Sequence, residues 1–323
     1  MKSNKILKKI NFFIKSKIIK EKIIILLFIC FIFLFLLTYN KKPKLKKTIY
    51  SNKWIVMTTF NSPTSSFKKL IKTINNWKII VISYSNSIKI NNDWKLLNFI
   101  NNLIYLTLKD QISLGYEITK YLKIHSYSRK NIGYIYAIQH GAKEIYEIDE
   151  DIFITDINDL NIKLNNKSIF YVKRNDSKMI NPYNHFEQRN LWPRGFRIKD
   201  IGKDYNNNNK FLLMNSNQLK LNPLIYQGLI NGFPDVDSIY LLTKILENKI
   251  NIIFSTNDPL LYFPGNYIPI NSKNTKYLYE IFPFLVLPTT MNEKISDIFR
   301  GYIIQYFSWR FKGCVIYFSS KIC

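Results

Sequence analysis

The chain has 323 residues, 47% of them hydrophobic and 15% aromatic, which excludes a disordered protein and allows one large core. A net charge of +25 would ordinarily point to nucleic acid, but the first 48 residues hold thirteen lysines and one glutamate, so +12 of it belongs to one end. The remaining +13 is spread without a stripe of basic and aromatic side chains, which favours a solvated lysine surface and no nucleic acid as partner.

Residues 1–22 read as a lysine-rich tail. From Ile23 to Leu37 every residue is apolar, and Thr38 and Tyr39 extend the run to the short end of what spans a bilayer. No small-residue cleavage site follows it, so residues 23–39 are expected to be an uncleaved signal anchor, a single membrane span. Eight lysines precede the run and five follow, which favours a cytoplasmic N-terminus and a lumenal remainder. Residues 40–51 form a stem and 52–323 the folded domain. Cys30, Cys314 and Cys323 give no metal-site spacing; only Cys314 with Cys323 offers a disulfide.

Within the domain, Trp54–Thr59 predicts a buried strand ended by Asn61, Ser62 and Pro63. A helix follows from Thr64 or Ser65, with Phe67, Leu70, Ile71 and Ile74 on one face. Lys78–Tyr84 and Leu103–Thr107 predict two more strands. Asp110–Leu122 predicts a helix capped by Asp110, and Asn131–Gly141 another, stopped at Gly141. Glu144–Ile148 is a strand running into Asp149, Glu150 and Asp151. Farther on, Asn206–Asn209 is a low-complexity loop, Phe211–Met214 is strand-like, Asp235–Asn248 is helical, and Glu293–Phe311 is a long amphipathic helix.

Strands alternating with helices over residues 54–151 predict an α/β fold, a mostly parallel central sheet flanked by helices, with ligands beyond the carboxyl ends of its strands. Asp149 and Asp151 stand at such an end. In an extended chain residues i and i+2 point the same way, so the two carboxylates can meet one cation while Glu150 turns away. Hard oxygen ligands suit a divalent metal, Mn2+ or Mg2+, holding the diphosphate of a nucleotide. The alternative for such a triplet is a solvated acidic turn.

Arg129 and Lys130 precede the helix that leads to this strand. With Asn131 and Gly133 in its first turn, they are candidate cofactor-binding residues for that diphosphate. A surface Arg-Lys pair and a tolerated helix glycine are the alternative. His140 reads as a packing or helix-surface residue.

The string RKNIGYIYAIQHGAKEIYEIDED (Arg129–Asp151) resembles the hallmark of the STELLO-like domain of plant Golgi glycosyltransferase-like proteins and nematode proteins. Further blocks resemble it in order: KWIVMTTFNSPT (Lys53–Thr64), NPYNHFEQRNLWPRGF (Asn181–Phe196), YQGLINGFPDVDSIYLLT (Tyr226–Thr243), PINSKNTKYLYEIFPFLVLPTT (Pro269–Thr290) and SDIFRGYIIQYFSW (Ser296–Trp309). The resemblance covers about residues 52–318. It implies a GT-A-like nucleotide-sugar-binding fold, a type II protein of the Golgi or another secretory membrane and, in plants, support of cellulose synthase assembly. It also implies a nucleotide-sugar donor, a glycan or glycoconjugate acceptor and membrane protein partners.

GT-A enzymes that invert stereochemistry place an acidic base at a helix start opposite the metal. By that resemblance Asp237, then Asp235, are candidate catalytic bases; capping of a helix is the alternative. Trp192 and Arg194 are candidates for a sugar or phosphate platform, or for a structural turn. Asp297 and Arg300, three apart on one helix, are expected to pair with each other. No histidine follows His185, so the late third-ligand histidine common in GT-A enzymes is absent. A metal-dependent glycosyltransferase is the first reading and a noncatalytic glycosyltransferase-like scaffold the second.

Overall fold

The computed structural model describes residues 49–97, 99–152, 154, 160–162, 164, 168–172, 181–188, 191–196, 211–244 and 252–319. The expected tail, membrane span, most of the stem, Cys323 and the Asn206–Asn209 loop lie outside the described residues. Among the described residues no helix is long and apolar enough to cross a membrane.

The first unit alternates strand and helix: β1 (Lys53–Thr59), α1 (Ser65–Thr73), β2 (Lys78–Ser83), α2 (Ile88–Lys95), β3 (Leu103–Leu106), α3 (Leu108–Ser113), α4 (Lys130–Gln139) and β4 (Glu144–Ile148). The first three helices each start at a side-chain cap. The Thr64 hydroxyl accepts from the Phe67 N–H to open α1, and Ser87 does the same for Ile90 at α2. The helix expected over Asp110–Leu122 is only six residues. Thr107, not Asp110, is its N-cap, with Thr107 and Asp110 exchanging side-chain and backbone hydrogen bonds, and Gly115 ends it at φ +70° before a 3-10 turn over Glu117–Tyr121. Gly141, at φ +88°, follows α4 as the sequence suggests.

The second unit contributes β5 (Ser168–Val172), β6 (Phe211–Asn215), β7 (Asn222–Gly228), α5 (Ser238–Lys244), β8 (Leu260–Tyr262), β9 (Asn274–Leu278), α6 (Glu293–Ser308) and β10 (Gly313–Phe318). The expected continuation of the Asp235 helix to Asn248 passes beyond the described residues.

The ten strands among the described residues form one mixed sheet, in the order β3-β2-β1-β4-β9-β7-β10-β8-β5-β6. The first four are parallel, as the alternating pattern requires. Beyond β4 the sheet is mixed: β9 runs antiparallel to both β4 and β7, as do β8 to β10 and β6 to β5, while β10 stays parallel to β7 and β5 to β8. Antiparallel neighbours need no helical crossover, so the strand-helix alternation that predicted the first half is interrupted there.

β1 is buried on both faces, which explains its unbroken apolar run. Trp54 and Val56 join the core under α4, whereas Ile55 and Met57 join Phe67, Leu70, Trp77 and Trp94 under α1 and α2. Gly133 brings α4 onto the sheet: a Cβ there would stand 2.5 Å from Val56 Cγ1 and 3.2 Å from Ile82 Cγ1. His140 is buried at the end of α4, stacked on Tyr136 with ring centroids 3.9 Å apart.

Candidate active site

The chain leaves β1 toward β2 on one side, while β4 lies on the other, so the strand order reverses at β1 and opens a crevice at the carboxyl ends. A cleft of about 620 Å³ occupies that place. Its walls include Thr59–Thr64 after β1, Tyr84 after β2, Tyr127, and Asp149, Glu150 and Asp151 after β4.

The acidic triplet is not extended. β4 ends at Ile148, and the Ile152 N–H bonds back to the Asp149 carbonyl at 3.2 Å, closing a turn. The three carboxylates therefore share the cleft rather than alternating. Glu150, expected to turn away, accepts from the Thr59 hydroxyl, from the Phe60 N–H at 3.2 Å and from Asn61 Nδ2 at 2.9 Å, and so ties the end of β4 to the end of β1. Asp151 is 66% exposed, with Lys273 Nζ 3.9 Å away. Burial first, then the charges of Glu150, Asp149, Glu293 and Asp151, raises the Tyr84 phenol above its ordinary pKa. The cleft is an anionic field in which a cation is favoured.

Asp149 is held asymmetrically. Tyr127 Oη and Lys130 Nζ each lie 2.7 Å from Oδ1, and Lys130 Nζ is also 2.6 Å from Tyr127 Oη. Among the described residues nothing donates to Oδ2. Lys130 is fully buried and stands 3.3 Å from Glu147, which pairs with Arg300 at 2.8 Å, both without solvent exposure. Arg300 also donates to the Tyr134, Ser272 and Tyr277 hydroxyls.

The expected Asp297–Arg300 pair is not formed. Arg300 points inward to Glu147, and Asp297 takes Arg194 at 2.8 Å and the Ser272 N–H at 3.3 Å. Burial would raise the Asp297 carboxyl, but Arg194, Arg300 and the Ile298 N–H hold it below its ordinary range. Arg194 also forks onto Asp235, at 2.8 and 2.9 Å. Burial opposes its charge, and the two aspartates more than restore it.

Seven alternating charges thus run from Asp149 through Lys130, Glu147, Arg300, Asp297 and Arg194 to Asp235. The link between Arg300 and Asp297 passes through Ser272.

Of the residues expected at the diphosphate, Lys130 alone reaches the acidic triplet. Arg129 is buried, and its N–H groups go to the Leu122, Lys123 and Ile124 carbonyls and to Gln111 Oε1. Asn131 exchanges two 2.8 Å bonds with the Leu287 backbone, and Gly133 faces Val56. Trp192 packs edge-on against Phe196, and its carbonyl accepts the Asp237 N–H at 2.9 Å. Asp237 Oδ1 accepts from Ile239 N–H at 2.8 Å, so the carboxylate caps α5. Among the described residues no hydrogen bond or ion pair joins Asp237 to Asp149 or Asp151.

Sequence reasoning passed over Tyr84, Tyr127, Glu147 and Lys273. Glu147 had a signal: a carboxylate inside an apolar strand, two residues before Asp149 and on the same face, demands a buried cation.

No family model matches the chain. It is 34% identical over 287 residues to "Probable glycosyltransferase STELLO1" of Arabidopsis thaliana and 34% identical over 285 residues to STELLO2 of the same plant, each match covering 84% of this chain. Over this region the chain belongs to the STELLO-like family. It spans 35% of the length of each of these STELLO proteins. Among solved structures, the mannosyltransferase PcManGT from Pyrobaculum calidifontis, in complex with GDP-Man and Mn2+, matches with a TM-score of 0.39 and 10% identity. That match covers 91% of this STELLO-like chain and 68% of the other.

Proposed function

We propose that this STELLO-like chain is a glycosyltransferase of GT-A-like architecture that transfers a sugar from a nucleotide-sugar donor to a glycan or glycoconjugate acceptor. The observation that carries the reading is the acidic cleft at the strand-order reversal, lined by Asp149, whose Oδ2 has no donor among the described residues, and by the exposed Asp151. The names of its relatives agree with it.

The donor set fits Mg2+ or Mn2+. Among the described residues no three His, Cys, Asp or Glu side chains converge, so the protein offers two carboxylates and leaves other positions to phosphate oxygens and water. A divalent cation there would neutralise charge on the departing diphosphate. The chain's own residues do the rest. Lys130 and Tyr127 orient Asp149, and Glu150 fixes the loop after β1. In the transfer, the acceptor oxygen bonds the anomeric carbon, its proton passes to a carboxylate, and the nucleoside diphosphate leaves with the bonding pair. Asp237 is the base in this reading; Asp235 is committed to Arg194.

The scaffold reading has one observation in its favour, that Asp237 already serves as a helix cap. Calorimetric titration of UDP and GDP into the full-length protein, with and without Mn2+, separates the two. A transferase shows metal-dependent diphosphate affinity that Asp149→Asn with Asp151→Asn abolishes, and Asp237→Asn keeps that affinity but loses transfer. Wild-type protein without metal-dependent affinity favours the scaffold. We further propose that residues 23–39 anchor the chain as a type II protein of the Golgi or another secretory membrane, in reach of membrane protein partners. Digestion of a C-terminal tag in intact microsomes would refute that topology.

A further inference from the structure

We propose that Lys130 and Tyr127 make Asp149 a one-oxygen ligand and thereby bias the cleft toward small six-coordinate cations, Mg2+ and Mn2+, against Ca2+. The inference rests on the reading that the cleft binds a divalent cation.

A carboxylate chelates a metal only if both oxygens can turn toward it. Oδ1 of Asp149 already accepts two donors, the Lys130 ammonium and the Tyr127 hydroxyl, each at 2.7 Å. Lys130 cannot readily withdraw. It is fully buried, packs over the Tyr127 ring at 4.4 Å, and is fixed from behind by the Ile148 carbonyl at 3.2 Å and Glu147 at 3.3 Å. Among the described residues no donor claims Oδ2, which leaves that oxygen for a cation in the cleft that Asp149 lines. A single oxygen suits the octahedral shells of Mg2+ and Mn2+, whereas Ca2+ takes six to eight oxygens and gains from bidentate carboxylates. Among the described residues the nearest charged partner of the exposed Asp151 is Lys273 at 3.9 Å, a looser hold than that on Asp149, so the selectivity resides at Asp149. Lys130 acts through Asp149 and is a positioning residue.

The test reads cation binding, not turnover. Free Mn2+ is followed by its paramagnetic resonance signal as it is titrated into the full-length protein with UDP present, and with GDP in a parallel arm. Bound Mn2+ is then displaced with Ca2+. The measured quantity is the ratio of Ca2+ to Mn2+ affinity, in which the loss of a nearby positive charge, common to both cations, cancels.

Lys130→Met should shift that ratio toward Ca2+ by about tenfold, the scale of one hydrogen bond to a charged group. Tyr127→Phe removes one donor of the two and should shift it in the same direction, by about threefold. If Lys130→Met fails to fold, Tyr127→Phe decides alone. A folded Lys130→Met or Tyr127→Phe protein with the wild-type ratio would overturn the assignment while leaving the cation site standing. Wild-type protein that takes up no Mn2+ with either nucleotide would overturn the cation reading itself, and this inference with it.

Discussion

The buried pair of Glu147 and Arg300 offers the sharpest test of the fold's electrostatics, because the two partners are not equally replaceable. Both are without solvent exposure, and breaking such a pair costs on the order of 3–5 kcal/mol through the charge left behind. Glu147→Gln leaves Arg300 with the neutral Tyr134, Ser272 and Tyr277 oxygens, while its Nε already lacks a partner. Arg300→Met leaves Glu147 with Lys130 at 3.3 Å and the Tyr134 hydroxyl. Glu147→Gln should therefore lie near the upper figure, about 5 kcal/mol, and Arg300→Met near the lower, about 3 kcal/mol. At roughly 2–4 °C per kcal/mol for a domain of this size, Tm falls by on the order of 10–20 °C and 6–12 °C. The double variant strands no charge and should melt above Glu147→Gln alone. Circular dichroism melts of the three proteins measure the order. An Arg300→Met protein less stable than Glu147→Gln, or a double variant less stable than both, would refute the reasoning.

Three further outcomes are expected. Gly133→Ala forces a methyl against Val56 and Ile82 and should cost about 1–3 kcal/mol, read as a lower urea midpoint with an unchanged slope. Without added metal, Asp149→Asn weakens a charged contact to buried Lys130 and should destabilise by about 1–3 kcal/mol, whereas Asp151→Asn, at an exposed group, should stay within about 0.5 kcal/mol of wild type by the same urea titration. Burial lowers the pKa of both His140 and His185 below 6.5, so the unfolded chain takes up protons first as pH falls. Stability should thus be complete above about pH 7.5 and decline as pH drops through 6.5, and His140→Gln with His185→Gln should flatten that decline in melts at pH 5.5 and 7.5.

The parts of the fold that repeat a local rule were legible in the sequence. β1, β2, β3, α1, α4 and β4 follow from apolar runs bounded by Pro, Gly and Thr, and their parallel order follows from their alternation with helices. The second half resisted for a physical reason: β7, β9 and β10 sit centrally in a mixed sheet, where register is set by neighbours distant in sequence. Lys276 at β9 shows the difficulty, being a buried lysine in a strand whose cation lies over the Tyr226 ring at 4.4 Å. At the candidate site the acidic triplet was visible, but the turn that rotates Glu150 into the cleft was not, because nothing in Asp-Glu-Asp announces where β4 loses its partner β9. Asn131 and Arg129 misled for a related reason. A donor at a helix start suits an anionic ligand and a neighbouring carbonyl equally, and only the placement of Leu287 and residues 122–124 decides between them.

The alternating charges also bear on why the proposed cation site lies at one end of the chain of contacts. Asp149, Glu147, Asp297 and Asp235 supply four negative charges, and Lys130, Arg300 and Arg194 three positive ones, so one negative charge is left over. At the Asp235 end the bidentate guanidinium satisfies the carboxylate in place. At the other end Asp149 meets Glu150, Asp151 and the field of Glu293, which approaches within 2.8 Å of the Tyr127 N–H. Excess negative charge therefore collects in the cleft and is screened elsewhere, which favours a divalent cation beside Asp149 over one beside Asp235. Asp237 stands outside this series: its backbone N–H bonds the Trp192 carbonyl and its carboxylate caps the first turn of α5, so its charge is committed to a helix start rather than to the alternating pairs.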